Sequence, residues 1–284
     1  VSSPEPAHEP EVQVGNEEHP RVALVTGGVR GVGAGISRAF LDAGYLVVAC
    51  ARHEPVSPVE FAGRTADFLP CDVRREDQVS ALIAEIVKRH GRLDAVVNNA
   101  GGAPFAMAAD AGANFHRKIV ELNLLAPLLV SQAANLVMQQ QENGGSITMI
   151  SSVSASRPSP GTAAYGAAKA GLDSLTTSLA VEWAPKVRVN ALRVGMVATE
   201  LSGLHYGGVD SVRAVERTVP LGRLATPDDV GASAVFLSSA AASYVSGSLL
   251  AVHGGGERPA FLDAVHTPRP DNVDIDSEHA KDHL

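Results

Sequence analysis

The chain has 284 residues, 45% of them hydrophobic, with a formal net charge of −8 and a pI near 5.7. That is apolar material for one sizeable core rather than two full domains. The acidic balance argues against nucleic acid or an anionic membrane as a partner, and no unbroken apolar run reaches the ~18 residues of a membrane span.

Residues 1–20 are Pro-rich and acidic, without apolar periodicity, and read as a flexible tail. They have neither the basic flank nor the apolar centre of a signal peptide. Arg21–Thr26 is a continuous apolar strand suited to burial on both faces of a parallel sheet. It runs into a glycine turn, Gly27-Gly-Val-Arg30-Gly31-Val32-Gly33, and then Ile36, Ala39, Phe40 and Ala43 recur at helical spacing until Gly44. Strand, glycine turn and helix together form a dinucleotide-phosphate cradle. The glycines let the backbone approach a pyrophosphate at the positive end of the helix.

A second strand is expected over 45–51, followed by Arg52, and a third over 67–73. Val79, Leu82, Ile83, Ile86 and Val87 share one face of a helix that Gly91 stops. Leu93 opens a fourth strand ending in Asn98-Asn99-Ala100-Gly101. Residues 112–141 read as one long helix, with Asn123 set inside its apolar run, where it must find hydrogen-bond partners. From Ile119 to Gln141 that helix carries no Lys or Arg, which points to a partner surface. Residues 145–152 form a short apolar strand ending in serines, 162–183 a helix, and 187–192 the sixth strand. Glu200 to Leu221 is glycine-dotted and aperiodic, as a mobile substrate lid would be. Thr226 and Pro227 start another helix, as N-cap and first-turn residue, and 246–255 is the last strand. Residues 257–284 are read as a tail, in which His279 and His283 are flexible histidines rather than ligands, and no metal site is expected. Cys50 and Cys71 each close an apolar strand-like run; two buried, reduced thiols fit a cytoplasmic setting.

The chemistry converges on Ser152, Tyr165 and Lys169. On a helix over 162–183, the i, i+4 spacing puts Tyr165 and Lys169 on one face, while the strand end brings Ser152 beside them. A phenol with a pKa near ~10 is a poor acid or base at neutral pH. A cation within ~4–6 Å stabilises its anion and makes it useful for proton transfer.

Together, Ser152, Tyr165-x-x-x-Lys169 and Thr26-Gly27-x-x-x-Gly31-x-Gly33 resemble the short-chain dehydrogenase/reductase family over roughly residues 21–256. The strand–helix alternation and this resemblance imply a single doubly wound, Rossmann-like α/β domain with a parallel sheet of about seven strands. The resemblance implies hydride transfer between a nicotinamide cofactor and a secondary alcohol or ketone. Tyr165 would be the general acid/base, Lys169 its electrostatic partner, Ser152 the group that positions the substrate oxygen, and Asn123 the anchor of a water leading to Lys169. Asn98-Asn99-Ala100-Gly101 matches the family's N-N-A-G, which passes beside the cofactor. Asp72 and Val73 would border the adenine, although Asp72 also reads as a cap for the helix that follows. Gly195 and Thr199 match the P-G-x-x-x-T segment, with Thr199 or the backbone of Val197 expected to hold the nicotinamide carboxamide.

Two positions depart from the family pattern: Val194 stands for the proline, and His253 for a common Asp. An NAD site would want a carboxylate at the end of the second strand. Ala51 occupies that place, and Arg30 and Arg52 suit a 2′-phosphate, so NADP(H) is expected, with NAD(H) as the alternative. The resemblance also implies a homo-oligomer, a dimer or tetramer packed through the helices 112–141 and 162–183. An apolar ketone or alcohol is the preferred small-molecule substrate. A 3-oxoacyl reductase, a hydroxysteroid-type dehydrogenase, a sugar or polyol dehydrogenase and a catalytically silent cofactor-binding regulator stay open.

Overall fold

The computed structural model describes residues 20–200, 202 and 207–261. The two tails (1–19 and 262–284, with His279 and His283) and part of the expected lid (201, 203–206) lie outside the described residues. Seven parallel strands form one sheet: β1 (Val22–Thr26), β2 (Leu46–Ala51), β5 (Asp67–Pro70), β6 (Ala95–Asn98), β7 (Gly145–Ser152), β8 (Val187–Val194) and β9 (Leu249–Val252). They lie in the order β5-β2-β1-β6-β7-β8-β9. The chain thus starts mid-sheet, builds outward to β5, then crosses back to β6 and builds the other way. Between β1 and β6 the connections diverge and leave a crevice at the carboxyl ends of the strands. Not expected from the sequence is a small antiparallel hairpin of β3 (Glu60–Phe61) and β4 (Arg64–Thr65). Its turn residues Ala62 and Gly63 both adopt positive φ, the geometry tight hairpins favour.

Helices cover both faces of the sheet. On one side, α2 (Glu76–His90), α4 (Ala126–Met138) and α5 (Ala163–Glu182) bury Ile86, Val130 and Leu172 against Leu24, Val96 and Val189. On the other, α1 (Gly31–Asp42) packs Ile36 and Phe40 against Val25, Val97 and Leu192, together with Val230 and Leu237 of a C-terminal helix, Pro227–Ser238. Each such side chain contributes about 1.5–3 kcal/mol by leaving water. The C-terminal helix starts as its sequence signals. Thr226 accepts from the Asp229 N–H at 3.2 Å, and Asp229 accepts from the Thr226 N–H at 2.7 Å, a reciprocal capping box.

Three expectations are corrected. The long helix of 112–141 is broken into α3 (Ala113–Val120), a π turn (Glu121–Leu125) and α4. Pro127 is the physical reason: it has no N–H for the carbonyl four residues back, so the ladder there must loosen. Secondly, Ala113–Met138 is one run of 26 residues with mean hydropathy 1.4, long and apolar enough to cross a membrane by those measures. Here it packs Ala126, Val130, Ala134 and Met138 into the core. Thirdly, the region read as an aperiodic lid contains a helix, α6 (Val209–Glu216), which makes the Pro227–Ser238 helix α7.

Helices α1 and α7 cross closely. A Cβ on Gly35 would lie 2.3 Å from Pro227 Cβ, and one on Gly231 would lie 2.7 Å from Ala39 Cβ. Gly35→Val should therefore lower stability by about 1–3 kcal/mol or more, read as a reduced urea midpoint. Gly112→Ala, at an ordinary φ of −71° in open space, should leave the midpoint unchanged.

Candidate active site

Strand alternation sorts the two serines at the end of β7. Ser151 is buried and its hydroxyl turns back to the Lys169 carbonyl of α5 at 3.5 Å. Ser152 is half-buried at the strand's end, and its Oγ accepts from the Ser154 N–H at 3.1 Å, which leaves the hydroxyl proton to be given elsewhere. Tyr165 and Lys169 lie one turn apart on α5, with the Lys169 Nζ 5.5 Å from the centre of the Tyr165 ring. Lys169 is 3% exposed, and its ammonium donates to the Ile150 carbonyl of β7 at 2.8 Å. Burial pushes its pKa down to about 8, with the charge of Asp173 working in the opposite direction.

Asn123 sits in the π turn, fully buried. Its Oδ1 accepts from the Gly102 N–H at 3.1 Å, and its Nδ2 donates to the carbonyls of Gly102 and Ile119, each at 2.9 Å. Gly101 is where these groups meet: a Cβ there would lie 2.8 Å from Asn123 Oδ1 and 3.6 Å from Lys169 Nζ. The structure thus brings Asn123, Gly101 and Lys169 together with Tyr165 beside them.

The glycine turn passes a direct test for a dinucleotide. Gly27 has φ +63°, and a Cβ on it would meet Ala100 Cα and Asn99 Nδ2, both at 3.1 Å. One on Gly33 would strike the Gly27 carbonyl oxygen at 2.1 Å. Gly31, at φ +51°, opens α1, whose first turn holds no acidic residue. Thr26 ties the turn to the next strand end, its Oγ1 accepting from the N–H groups of Asn99 and Ala100, both at 3.0 Å. Asn99 Nδ2 donates to the carbonyls of Thr26 and Gly27. The result is a backbone surface cleared of side chains at a helix N-terminus, which fits a pyrophosphate. Val32 packs beneath it on the α1 side of the core.

At the end of β2, Ala51 offers no carboxylate, while Arg30 and Arg52 are exposed and, among the described residues, make no side-chain hydrogen bond or ion pair. Asp72 does not cap α2, whose N-cap is Arg75. Its carboxylate is gripped by Arg74, at 2.9 Å from Nε and 2.5 Å from Nη2, which holds its pKa below the usual carboxylate range. Arg74 is a residue the sequence reading missed; its only signal was the position two after Asp72. Val73 is buried in the core at 6% exposure.

On the far side, Gly195 donates its N–H to the Val252 carbonyl at 3.0 Å, and a Cβ on it would lie 2.8 Å from His253 Cβ. Val194 continues β8, paired with Ser152 and Val252, so the missing proline becomes one more strand residue. Val197 pairs with Ala225, and the Thr199 N–H donates to Ser202 Oγ at 2.7 Å. His253 Nδ1 is buried and, among the described residues, has no hydrogen-bond partner. Beside Tyr165 lies a crevice walled by Ala103, Pro104, Ala106, Phe115 and Ile119. Its two flanking loops are joined: Ala106 donates its N–H to the Gly161 carbonyl at 2.9 Å, and the Phe105 ring occupies the space a Gly161 Cβ would need.

A parallel sheet with this strand order and a side-chain-free cradle at its switch point defines a dinucleotide-binding α/β protein. Comparisons narrow the class. Residues 27–257 match a family model described as enoyl-(acyl carrier protein) reductase. L-fucose dehydrogenase of Oryctolagus cuniculus is 38% identical over 244 residues, 84% of this chain and 85% of that protein. Human dehydrogenase/reductase SDR family member 4 is 33% identical over 242 residues, 83% and 87% of the two chains. The ligand-free structure of Thermoplasma acidophilum aldohexose dehydrogenase superposes with a TM-score of 0.78 at 30% identity, covering 88% of this chain and 98% of that one. The chain belongs to the short-chain dehydrogenase/reductase family. It is an NAD(P)-dependent oxidoreductase acting on CH–OH groups.

The buried ammonium should show in the stability of the chain. An unfolded lysine keeps its proton to about pH 10.4, whereas folded Lys169 gives it up near about 8. Between those values the unfolded chain binds more protons, so stability rises with pH. Lys169→Met should be more stable than the parent at pH 7 by about 1–3 kcal/mol, with the advantage shrinking towards pH 10. Urea unfolding at several pH values checks this, and an advantage independent of pH would contradict it.

Proposed function

We propose that this enzyme carries out reversible hydride transfer between NADP(H) and a secondary alcohol or ketone, with Tyr165 as general acid/base. The observation that supports it most is the Lys169 ammonium, buried beside the Tyr165 ring and next to Gly101 at the inner end of the cradle. When bound, the nicotinamide supplies or accepts the hydride. The rest falls to the protein. Tyr165 gives a proton to the carbonyl oxygen, or takes one from the alcohol, and Lys169 stabilises the phenolate left behind. Ser152 donates its hydroxyl proton to the same substrate oxygen, its own oxygen being held by Ser154. Asn123 has its side chain committed to Gly102 and Ile119, and Pro127 has no N–H for the Asn123 carbonyl. That carbonyl is the group we assign to hold a water leading to Lys169.

Gly27, Gly31, Val32 and Gly33 would hold the pyrophosphate, with Thr26 fixing the turn. Asn99, Ala100 and Gly101 would border the ribose, Asp72 and Val73 the adenine, and Gly195, Val197 and Thr199 the carboxamide. Arg30 and Arg52, exposed where an NAD site would carry an acid, support NADP(H). We take residues 21–256 as the catalytic domain. The exposed Leu125 and Leu136 of the α3–α4 run and Val181 of α5 support a homo-oligomer joined through those helices. Two free, buried thiols support a reducing, cytoplasmic setting.

The crevice beside Tyr165 is walled by alanine, proline, phenylalanine and isoleucine, and Phe105 and Met107 stand 75% and 49% exposed near it. This supports an apolar carbonyl substrate. A sugar is the second reading, favoured by the names of two of the relatives and by His116 and Thr162 in the same wall. NADPH oxidation with a panel of aliphatic ketones, set against NADP+ reduction with aldoses, separates the two.

With whichever substrate turns over, Tyr165→Phe should lose about 10²–10⁴-fold in kcat while NADPH affinity stays near that of the parent. Undiminished turnover would refute the assignment. Arg52→Ala should weaken NADPH binding by roughly tenfold or more, the worth of one charge-assisted hydrogen bond, and leave NADH binding almost unchanged. Equal losses for both cofactors would remove the 2′-phosphate from the account.

A further inference from the structure

Asp173 lies one turn beyond Lys169 on α5, at the spacing where side chains of one helix face meet. It is 4% exposed. Its Oδ2 accepts from Arg193 Nε at 2.6 Å, Arg193 reaching across from β8 next to Ser151 of β7. Its Oδ1 is buried and, among the described residues, has no hydrogen-bond partner. Half of this carboxylate is therefore paired and half is bare charge in the interior, a costly arrangement unless another charge compensates.

Lys169 is the charge available to do so. The groups around it are the Ile150 carbonyl from β7, Asn123 from the π turn across Gly101, and Tyr165 and Asp173 from α5, with Arg193 of β8 behind Asp173; the Ser151 hydroxyl bonds the Lys169 main-chain carbonyl instead. Among the described residues, Asp173 is the ionised group whose field acts on the ammonium.

We propose that Asp173 is a positioning residue for the reaction, its half-paired carboxylate keeping Lys169 charged inside the core and Arg193 setting the strength of that hold. The inference rests on the reading that Lys169 serves Tyr165. Asp173 itself touches no reacting atom and works only through the lysine. With Asp173 neutral, burial strips the Lys169 proton at lower pH, and the unpaired guanidinium pushes the same way. With Arg193 removed, the whole carboxylate charge acts on Lys169, which keeps its proton to higher pH.

The two variants thus carry opposite signs, which a purely structural pair would not. Urea unfolding of the full chain is followed against pH for the parent, Asp173→Asn and Arg193→Gln, each with and without Lys169→Met. Subtracting each pair isolates the rise in stability that accompanies Lys169 deprotonation. The midpoint of that rise should move down by about half a pH unit or more in Asp173→Asn, and up by a similar amount in Arg193→Gln. A pH-independent offset in both, or a shift of the same sign in both, overturns the inference. If Asp173→Asn does not fold, Arg193→Gln decides alone: an upward shift supports the inference, and no shift or a downward one overturns it. No substrate enters this measurement, so its outcome is separable from that of the proposed reaction.

Discussion

Everything near the active site is arranged around the burial of a single amine. Keeping the Lys169 ammonium charged in the core carries a net cost of roughly 3 kcal/mol, as the fall from an ordinary lysine pKa to about 8 indicates. That figure is what remains after the surroundings have offset part of the desolvation with one main-chain carbonyl, the face of a phenol ring and a carboxylate one helical turn away. An amine so poorly solvated exerts its charge through a low-dielectric medium, where it acts more strongly on a neighbouring phenol than it would at the surface.

The sheet supplies the geometry. Three strand ends deliver the parts: β1 the glycine turn, β6 the Asn99–Gly101 segment and β7 the serine. Thr26 and Asn99 bind the first two together with short side-chain-to-backbone bonds. The π turn contributes Asn123 at the height of Gly102, and the same proline that breaks the helical ladder also lies within the run that packs on the core. Local irregularity and site chemistry are therefore one event in this helix rather than two.

Much of this was legible in the sequence because it rests on local rules. Continuous apolar strands, helical spacing and glycine stops located β1, α1, α2 and α5, and Thr226 with Pro227 marked the start of α7. Spacing put Tyr165 and Lys169 on one helix face, and the glycine loop at the right distance made the pair more than a chance match. What the sequence concealed depends on contacts distant along the chain or on backbone geometry without a side-chain signature. Nothing local distinguishes a π turn from an α-helix around Asn123, and nothing near Asp173 announces a partner twenty residues away on another element. Asp72 looked equally like a helix cap or a cofactor neighbour, and its commitment to Arg74 required coordinates. The β3–β4 hairpin is too short for strand alternation to register.

The seam between Phe105 and Gly161 carries a consequence for how such a pocket could be altered. An aromatic ring from one wall fills the hollow of a residue in the other, and a main-chain bond joins them at Ala106, so the two walls beside Tyr165 are coupled at this seam. A bulkier group at position 161 displaces position 105 before it reaches any ligand, and shrinking position 105 frees room for change at 161. Selectivity at this mouth would then evolve, or be engineered, by paired replacements whose effects do not add.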